Sequence, residues 1–177
     1  SFIISANNHI RNIKRTIENI CSTYGKPMDF KGETYYAFPL PEVLAGVSAD
    51  ELQLTKCGYR AKYIIETAKI IARGKIDIYN FDNKSAEDMR EKLLMLPGVG
   101  RKVADCIMLY SMRKFDAFPI DVWIKRILEH IYFNYKQVSL TKLQKFTEGR
   151  FGEIAGFVQQ YLFYYSRNCW QDIVKQR

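Results

Sequence analysis

Residues that hold metals and disulfides are scarce in this sequence, which has four cysteines and two histidines among 177 residues. Cys21, Cys57, Cys106 and Cys169 are scattered, no two of them form a C-x-x-C pair, and no histidine cluster accompanies them. A structural zinc site or a disulfide framework is therefore not expected. Free thiols in a reducing cytoplasm are the simplest interpretation, and they predict a cytoplasmic protein.

Long apolar runs are also missing, since no stretch approaches the roughly 18 residues that a membrane-spanning helix needs. What the chain has instead is positive charge and aromatic side chains: its net charge is +8, and 14% of its residues are aromatic. A basic balance favours a polyanionic partner, and aromatic residues beside basic ones suit stacking on bases. Most of the aromatic residues are nevertheless expected to fill the core.

Apolar residues recur at helical spacing along most of the chain, and this pattern predicts an all-α protein. Residues 30–41 mix aromatic residues with glycine and proline and are predicted to be irregular, and no strand is predicted. The predicted helices span about 7–24, 41–45, 49–55, 59–73, 85–94, 100–112, 121–133, 139–150 and 153–167.

A hairpin of about residues 94–102, with the sequence LPGVGRK at 96–102, separates two of these helices. Pro97 ends the first helix, because proline lacks an N–H group and restricts the residue before it. Gly98 and Gly100 permit positive φ and the close approach of another backbone. The free N–H groups that begin the next helix can bind a phosphate, so the hairpin predicts DNA binding. The simpler alternative is an ordinary turn between two helices.

Further motifs lie in order along essentially the whole chain: paired asparagines at 7–8, GYRAKY at 58–63, VADC directly after the hairpin, FPIDV at 118–122, and GFVQ at 156–159 followed by Phe163. Together they resemble the eukaryotic-type 8-oxoguanine DNA glycosylases of the helix-hairpin-helix (HhH-GPD) superfamily. Among the members of this family, bacterial ones, including clostridial ones, are the most similar to this sequence. The resemblance implies a glycosylase fold of two helical lobes with the active-site cleft between them, and it makes residues 1–177 the catalytic region.

The resemblance implies a bifunctional DNA glycosylase and abasic-site lyase of base excision repair. Such an enzyme flips 8-oxoguanine opposite cytosine out of the duplex, excises it through a lysine Schiff base, and cleaves 3′ to the site by β-elimination. Lys102 is the predicted amine, in the first turn of its helix, where the positive dipole end disfavours an ammonium. Asp121 is the predicted carboxylate that stabilises the cation-like sugar. The simpler alternatives are a phosphate-contacting lysine and a plain N-cap.

Three residues are assigned by the resemblance to the flipped base. Gln159 would contact its Watson–Crick edge, while Phe163 and Cys106 would pack on its two ring faces. Gln159 and Phe163 share a helix face because they are four residues apart, and so do Lys102 and Cys106. Without the resemblance, Phe163 and Cys106 would be ordinary core residues.

Other residues are assigned to the rest of the DNA. Asn7 and Asn8 would fill the gap in the duplex, Tyr59 would wedge beside the orphaned cytosine, and Arg60 would donate to it. The simpler alternatives are an N-terminal cap for the asparagine pair and a solvated helix start for Tyr59 and Arg60. In the hairpin, the predicted DNA contacts are Gly98, Gly100 and Arg101.

Two positions depart from the family pattern. The family usually has a second cytosine-reading arginine where this chain has Asn12, so we expect a looser preference for the opposite base. Trp123 stands where eukaryotic members have a histidine near the phosphate of the damaged nucleotide. We expect Trp123 to contact the DNA through its surface and by stacking.

The resemblance implies no cofactor for the chemistry. The backbone carbonyls of Leu94, Leu96 and Val99 are predicted to hold a monovalent cation when DNA is bound. An iron–sulfur cluster of the endonuclease III type is not expected, because it needs four closely spaced cysteines near the C-terminus and only Cys169 lies there. The expected protein is a monomer that acts on damaged double-stranded DNA and, in a bacterium, is associated with the nucleoid.

The chain opens at Ser1 without an initiator methionine, so we expect it to be a fragment that lacks the family's N-terminal domain. In the family that domain supplies a carbonyl to the N7 hydrogen of 8-oxoguanine. Two alternatives therefore stay open: a glycosylase for another oxidised or alkylated purine, and a non-catalytic helix-hairpin-helix DNA-binding module. A pure binder needs no carboxylate beside an amine, so Lys102 together with Asp121 argues against the second.

Overall fold

The computed structural model describes residues 1–80 and 84–175, with side chains described as far as residue 169. Over those residues the chain is mainly helical, which confirms the predicted class. The helices are α1 (Phe2–Ser5), α2 (Ile10–Tyr24), α3 (Pro41–Ala45), α4 (Ala49–Gln53), α5 (Arg60–Ala72), α6 (Ala86–Leu94), α7 (Arg101–Ser111), α8 (Val122–Phe133), α9 (Leu140–Phe151) and α10 (Ala155–Lys175), with a 3-10 turn at Gly152–Ile154. None of the described helices is long and apolar enough to cross a membrane.

The prediction that the chain has no strand is wrong. Strands β1 (Pro27–Phe30) and β2 (Glu33–Tyr36) pair as an antiparallel hairpin. All eight strand residues are exposed, so no alternation of apolar and polar residues marks them in the sequence. Lys31 and Gly32 both have positive φ, at 51° and 79°, as a tight two-residue hairpin turn requires.

Helix boundaries differ from the prediction mainly at the two ends of the chain. The short helix α1 is not predicted at all, and α2 begins at Ile10 because Asn7, with φ at 47°, turns the chain before it. The last predicted helix, 153–167, is a 3-10 turn followed by the longer helix α10. The interior helices agree with the prediction to within two residues.

The chain divides into two compact units. The N-terminal unit comprises Ser1–Asn83 with Glu91–Gly100, and the C-terminal unit comprises Lys84–Arg90 with Arg101–Arg177. Each has its own apolar core. In the N-terminal unit α3 and α4 pack on α5, and the buried core residues include Ile4, Ile20, Leu52, Ala61 and Ile64. In the C-terminal unit α8, α9 and α10 surround a core that includes Phe118, Ile124, Ile127, Leu128 and Leu143.

Candidate active site

The turn of the hairpin is held against α5 inside the N-terminal unit. Gly98 has φ at 78°, and a Cβ atom there would lie 2.8 Å from the Cβ of Tyr63. The Thr67 hydroxyl donates to the carbonyl of Pro97 at 3.0 Å. The predicted positive φ of Gly98 is therefore confirmed, and the position also has no room for a side chain, because the Tyr63 side chain lies against it.

Gly100 does not share these properties, and the prediction of positive φ is wrong for it. Its φ lies outside the positive region, and a Cβ atom there would meet nothing within 4 Å. The residue directly precedes Arg101, the first residue of α7. A glycine is therefore not needed here to relieve backbone strain. Its effect is to leave the start of α7 without a covering side chain.

Lys102 lies in the first turn of α7, as predicted, and its side chain is half-buried. One turn further on lies Cys106, which is buried. Burial raises the pKa of the Cys106 thiol, and the positive charge of Lys102 opposes that rise. Tyr110 follows at the same helical spacing. One face of α7 thus carries an amine, a neutral thiol and a phenol in a row.

Asp121 is the N-cap of α8, which confirms the predicted cap. Its Oδ1 accepts hydrogen bonds from the backbone N–H groups of Trp123 at 2.9 Å and Ile124 at 2.8 Å. No described residue donates to Oδ2. Burial raises the pKa values of Cys106 and Tyr110, and the negative charge of Asp121 adds to both shifts. The charges of Asp121 and Lys102 therefore both act on Cys106, and both residues lie in the C-terminal unit.

Gln159 on α10 is 4% exposed and has two partners. Its Nε2 donates to the carbonyl of Pro119 at 3.1 Å, and its Oε1 accepts from Nε2 of Gln160. Helix α10 starts close to the segment before α8 because Gly156 has no side chain: its N–H donates to the carbonyl of Phe115 at 2.6 Å, and a Cβ would lie 2.9 Å from that oxygen.

Phe163 lies four residues beyond Gln159 on α10 and is half-buried against the core of the C-terminal unit. The two side chains therefore share a helix face, as predicted. The structure places Gln159, Phe163, Cys106, Lys102 and Asp121 in the same unit. The resemblance assigns the first three to recognition of the base and the last two to catalysis.

The residues predicted for the opposite strand come together in the N-terminal unit. The buried guanidinium of Arg60 donates from Nε and Nη2 to the carbonyl of Ala6, at 3.1 and 2.6 Å, and from Nη2 to that of Asn7 at 2.9 Å. It also lies 4.4 Å from the ring centre of Tyr59, which is 60% exposed. The Asn8 amide donates to the carbonyl of Ile4 at 3.1 Å. Arg60 thus fixes the loop that carries the asparagine pair.

The two positions that depart from the family pattern lie in different surroundings. Asn12, on the exposed side of α2, accepts a hydrogen bond from Arg15 at 3.2 Å. The Trp123 ring is half-buried, and the guanidinium groups of Arg126 and Arg167 lie 5.6 Å and 5.3 Å from its centre. Cation–π contacts with Trp123 therefore bring two positively charged side chains close together.

Arg101 is engaged within the protein. Its Nη2 lies 2.7 Å from a carboxylate oxygen of Glu148, and its Nε lies 3.9 Å from Oδ2 of Asp105. Asp105 is buried and is also bound by the buried Arg90, which in turn contacts Glu87. Sequence reasoning missed this network. Its signal is an aspartate among the buried residues Val103, Ala104 and Cys106 of α7.

Metal-binding geometry gives a limited result. Among the described residues no three histidine, cysteine, aspartate or glutamate side chains lie close enough together to hold a metal ion. The carbonyls of Leu94, Leu96 and Val99 belong to one short turn, in which that of Leu96 accepts a hydrogen bond from the N–H of Val99 at 3.1 Å. Their role as ligands of a monovalent cation stays a prediction.

An apolar pocket of about 360 Å³ lies apart from these residues in the N-terminal unit. Its lining includes Ile4, Leu44 and Ile64 but no lysine and no carboxylate. This pocket therefore lacks the amine and the carboxylate that the predicted chemistry requires.

Comparison with known proteins agrees with this geometry. The family model of the HhH-GPD superfamily base excision DNA repair protein matches residues 1–151. A probable N-glycosylase/DNA lyase of Methanothermobacter thermautotrophicus is 43% identical over 188 residues, which cover 94% of this chain and 59% of that protein.

Solved structures agree as well. The Clostridium acetobutylicum 8-oxoguanine glycosylase/lyase, in complex with double-stranded DNA containing cytosine opposite 8-oxoguanine, matches with a TM-score of 0.89 at 42% identity, over 94% of this chain and 57% of that one. The 3-methyladenine DNA-glycosylase of Archaeoglobus fulgidus matches with a TM-score of 0.73 at 25% identity, over 94% and 56% of the two chains. This chain therefore spans less than two thirds of the length of each of the three proteins.

Proposed function

The chain belongs to the HhH-GPD superfamily of base excision DNA repair proteins, and on that premise we propose that it is a bifunctional glycosylase and abasic-site lyase for 8-oxoguanine in double-stranded DNA. The observation that carries the proposal is that Lys102, one turn before Cys106 on α7, and Asp121, the N-cap of α8, lie in the same unit and both act electrostatically on the buried Cys106. The relatives named for glycosylase and lyase activity support it.

Lys102 is the proposed nucleophile. Its neutral Nζ attacks C1′ of the flipped nucleotide, the bond from C1′ to the base breaks, and the base leaves with the electron pair and takes up a proton. Opening of the sugar gives an imine between Nζ and C1′. Removal of a proton from C2′ then expels the 3′ phosphate and cuts the strand. Burial raises the pKa of the Cys106 thiol, so the side chain one turn beyond Lys102 on α7 is neutral.

Asp121 is the proposed carboxylate of the reaction. Its Oδ1 is used by the two N–H groups that begin α8, and these bonds fix the side chain. The positive end of the α8 dipole favours the ionised carboxylate. Oδ2 then remains to stabilise the positive charge that develops on the sugar as the base departs, and to take part in proton transfer.

The base is proposed to lie between Cys106 and Phe163 with its Watson–Crick edge toward Gln159. One N–H and one lone pair of the Gln159 amide remain after its contacts with Pro119 and Gln160, which is what pairing with a purine edge requires. Burial of this amide makes the unpaired state costly, so a base of the wrong pattern is rejected.

The remaining DNA is proposed to be held by the hairpin and by the opposite-strand residues. Gly98 shapes the turn and Gly100 opens the start of α7 to a phosphate. The carbonyls of Leu94, Leu96 and Val99 would hold a monovalent cation, whose positive charge would favour the approach of a phosphate. In the N-terminal unit the opposite-strand contacts are proposed for Asn7, Asn8, Tyr59 and Arg60. The Trp123 side chain, with its two arginines, adds a basic surface.

A panel of duplexes tests the substrate. We expect single-turnover excision to be fastest for 8-oxoguanine opposite cytosine, slower opposite adenine, and absent for undamaged guanine. Equal or faster excision of 3-methyladenine would instead favour the alternative, a glycosylase for another damaged purine. Salt-sensitive binding to every duplex without excision of any base would identify a non-catalytic DNA-binding module.

A further inference from the structure

The amide of Gln159 is held in one orientation by two different neighbours. Its nitrogen donates to the carbonyl of Pro119, and its oxygen accepts from the Gln160 amide. Turned over by half a rotation, it would put its oxygen against the Pro119 carbonyl and its nitrogen against the Gln160 nitrogen. While the Gln160 amide keeps its own orientation, two hydrogen bonds would become two repulsive contacts, so the observed orientation is favoured.

The Gln160 amide is itself held in place by Tyr110. Nε2 of Gln160 donates both to the Tyr110 hydroxyl and to Oε1 of Gln159, and these bonds use both of its hydrogens. Tyr110 lies on α7, two turns beyond Lys102 and one turn beyond Cys106. A chain of hydrogen bonds therefore runs from the lysine-bearing helix through Gln160 to Gln159.

We propose that Gln160, held by Tyr110, is a positioning residue that fixes the orientation of the Gln159 amide and so determines which purine edge the pocket accepts. The inference rests on the proposed contact between Gln159 and the base. A guanine-type edge presents an acceptor at position 6 beside a donor at position 1. An adenine-type edge presents the same two groups in the reverse order. A fixed amide matches one order only, whereas an amide that turns over matches both.

Substitutions at Gln160 separate this role from simple packing. Gln160→Met has a similar length but gives no donor, so only the bond to Pro119 holds Gln159. Gln160→Glu places a carboxylate against Oε1, which favours the reversed amide because the carboxylate then accepts from its nitrogen. Tyr110→Phe leaves Gln160 without its hydroxyl partner. Tyr161→Phe, at an 80% exposed position of the same helix, is the matched control.

The measurement is the ratio of single-turnover excision of 8-oxoguanine to that of 8-oxoadenine in otherwise identical duplexes. We expect Gln160→Glu to lower the ratio by about a hundredfold and Gln160→Met and Tyr110→Phe by about three- to tenfold, as the loss of one charged or one neutral contact predicts. Lowering the pH should restore the ratio of Gln160→Glu, because a protonated carboxyl can donate again, and should leave that of Gln160→Met unchanged. Tyr161→Phe should match the wild type.

Loss of structure alone lowers both rates and leaves their ratio in place. A wild-type ratio in Gln160→Glu, or equal pH-independent ratios in the two Gln160 variants, would overturn the inference while the proposed function stands. Excision of neither lesion by the wild-type protein would refute the proposed function and the inference together.

Discussion

Nε of Arg90 on α6 donates to Oδ1 of Asp105 on α7 at 2.8 Å, and both side chains are almost completely buried. These two helices flank the hairpin in the sequence, and the ion pair joins the middle of α6 to the middle of α7. Burial raises the pKa of the Asp105 carboxyl, and its hydrogen bond from Arg90 opposes the rise. The fold therefore depends on both partners being present, since either one alone would be a buried unpaired charge.

Removal of Arg90 should lower the free energy of unfolding much more than removal of one partner of an exposed ion pair. We expect Arg90→Met to lower the free energy of unfolding by about 3–5 kcal/mol, because Asp105 is left in the interior without its main partner. The control Lys69→Met breaks an exposed pair with Glu66 and should cost less than about 1 kcal/mol. Urea denaturation measures both. Equal losses in the two variants would contradict the structural role of Arg90.

The two glycines of the hairpin should respond differently to alanine. Gly98→Ala adds a side chain at positive φ and against Tyr63, so we expect a loss of about 2–4 kcal/mol in the free energy of unfolding. Gly100→Ala has neither problem and should stay within about 0.5 kcal/mol of the wild type. Fluorescence anisotropy should nevertheless show weaker DNA binding for Gly100→Ala if its open backbone contacts a phosphate. A Gly100 variant as unstable as Gly98→Ala would contradict this assignment.

Stability should fall in alkaline solution. Burial raises the pKa values of the Cys57 and Cys106 thiols above the ordinary value of 9.0. Below that value both states keep the proton and the stabilising contribution is fully present. As the pH rises through the raised pKa the contribution is lost, because the unfolded chain releases its protons first. Urea denaturation between pH 8 and 11 should show this decline.

A variant without the thiol identifies its share of the alkaline decline. Cys106→Ala should show a shallower fall in the free energy of unfolding above pH 9 than the wild type. Leu109→Ala, which empties a buried position nearby on α7 without removing a titrating group, should run parallel to the wild type at every pH. Parallel curves for Cys106→Ala and the wild type would show that the Cys106 pKa is not raised.

We expect Arg60 to contribute both to the stability of the fold and to the preference for the base opposite the lesion. Its three hydrogen bonds to the carbonyls of Ala6 and Asn7 need the planar guanidinium, which a lysine does not reproduce. We expect Arg60→Lys to lower the free energy of unfolding by about 1.5–3 kcal/mol and to bring the excision rates opposite cytosine and adenine closer together. Lys62→Arg, at an exposed position two residues further on, is the control. An unchanged preference for cytosine in Arg60→Lys would show that the loop held by Arg60 does not determine the preference for the opposite base.

The sequence predicts well the features that depend on neighbouring residues. The periodicity of α5 and α8, the cap at Asp121 and the positive φ of Gly98 are all local, and the structure has each of them. The spacing of Gln159 and Phe163 is local in the same sense. These are the features that place the candidate site on its helices.

Features that depend on distant partners were not predictable. The strands at Pro27–Phe30 and Glu33–Tyr36 are exposed on every residue, so no periodicity marks them. Arg90 and Asp105 are 15 residues apart, and Tyr110 and Gln160 are 50 apart. Only the tertiary fold shows that these residues meet.

Borohydride trapping tests the central claim most directly. The chain is incubated with a duplex that contains 8-oxoguanine opposite cytosine, sodium borohydride is added, and the cross-linked peptide is identified by mass spectrometry. We expect a covalent adduct at Lys102, no adduct with Lys102→Gln, and a wild-type yield with Lys125→Gln, a matched variant of a half-buried helical lysine that pairs with Glu129. An adduct of wild-type yield with Lys102→Gln, or one mapped to another lysine, would contradict the assignment of Lys102 as the nucleophile.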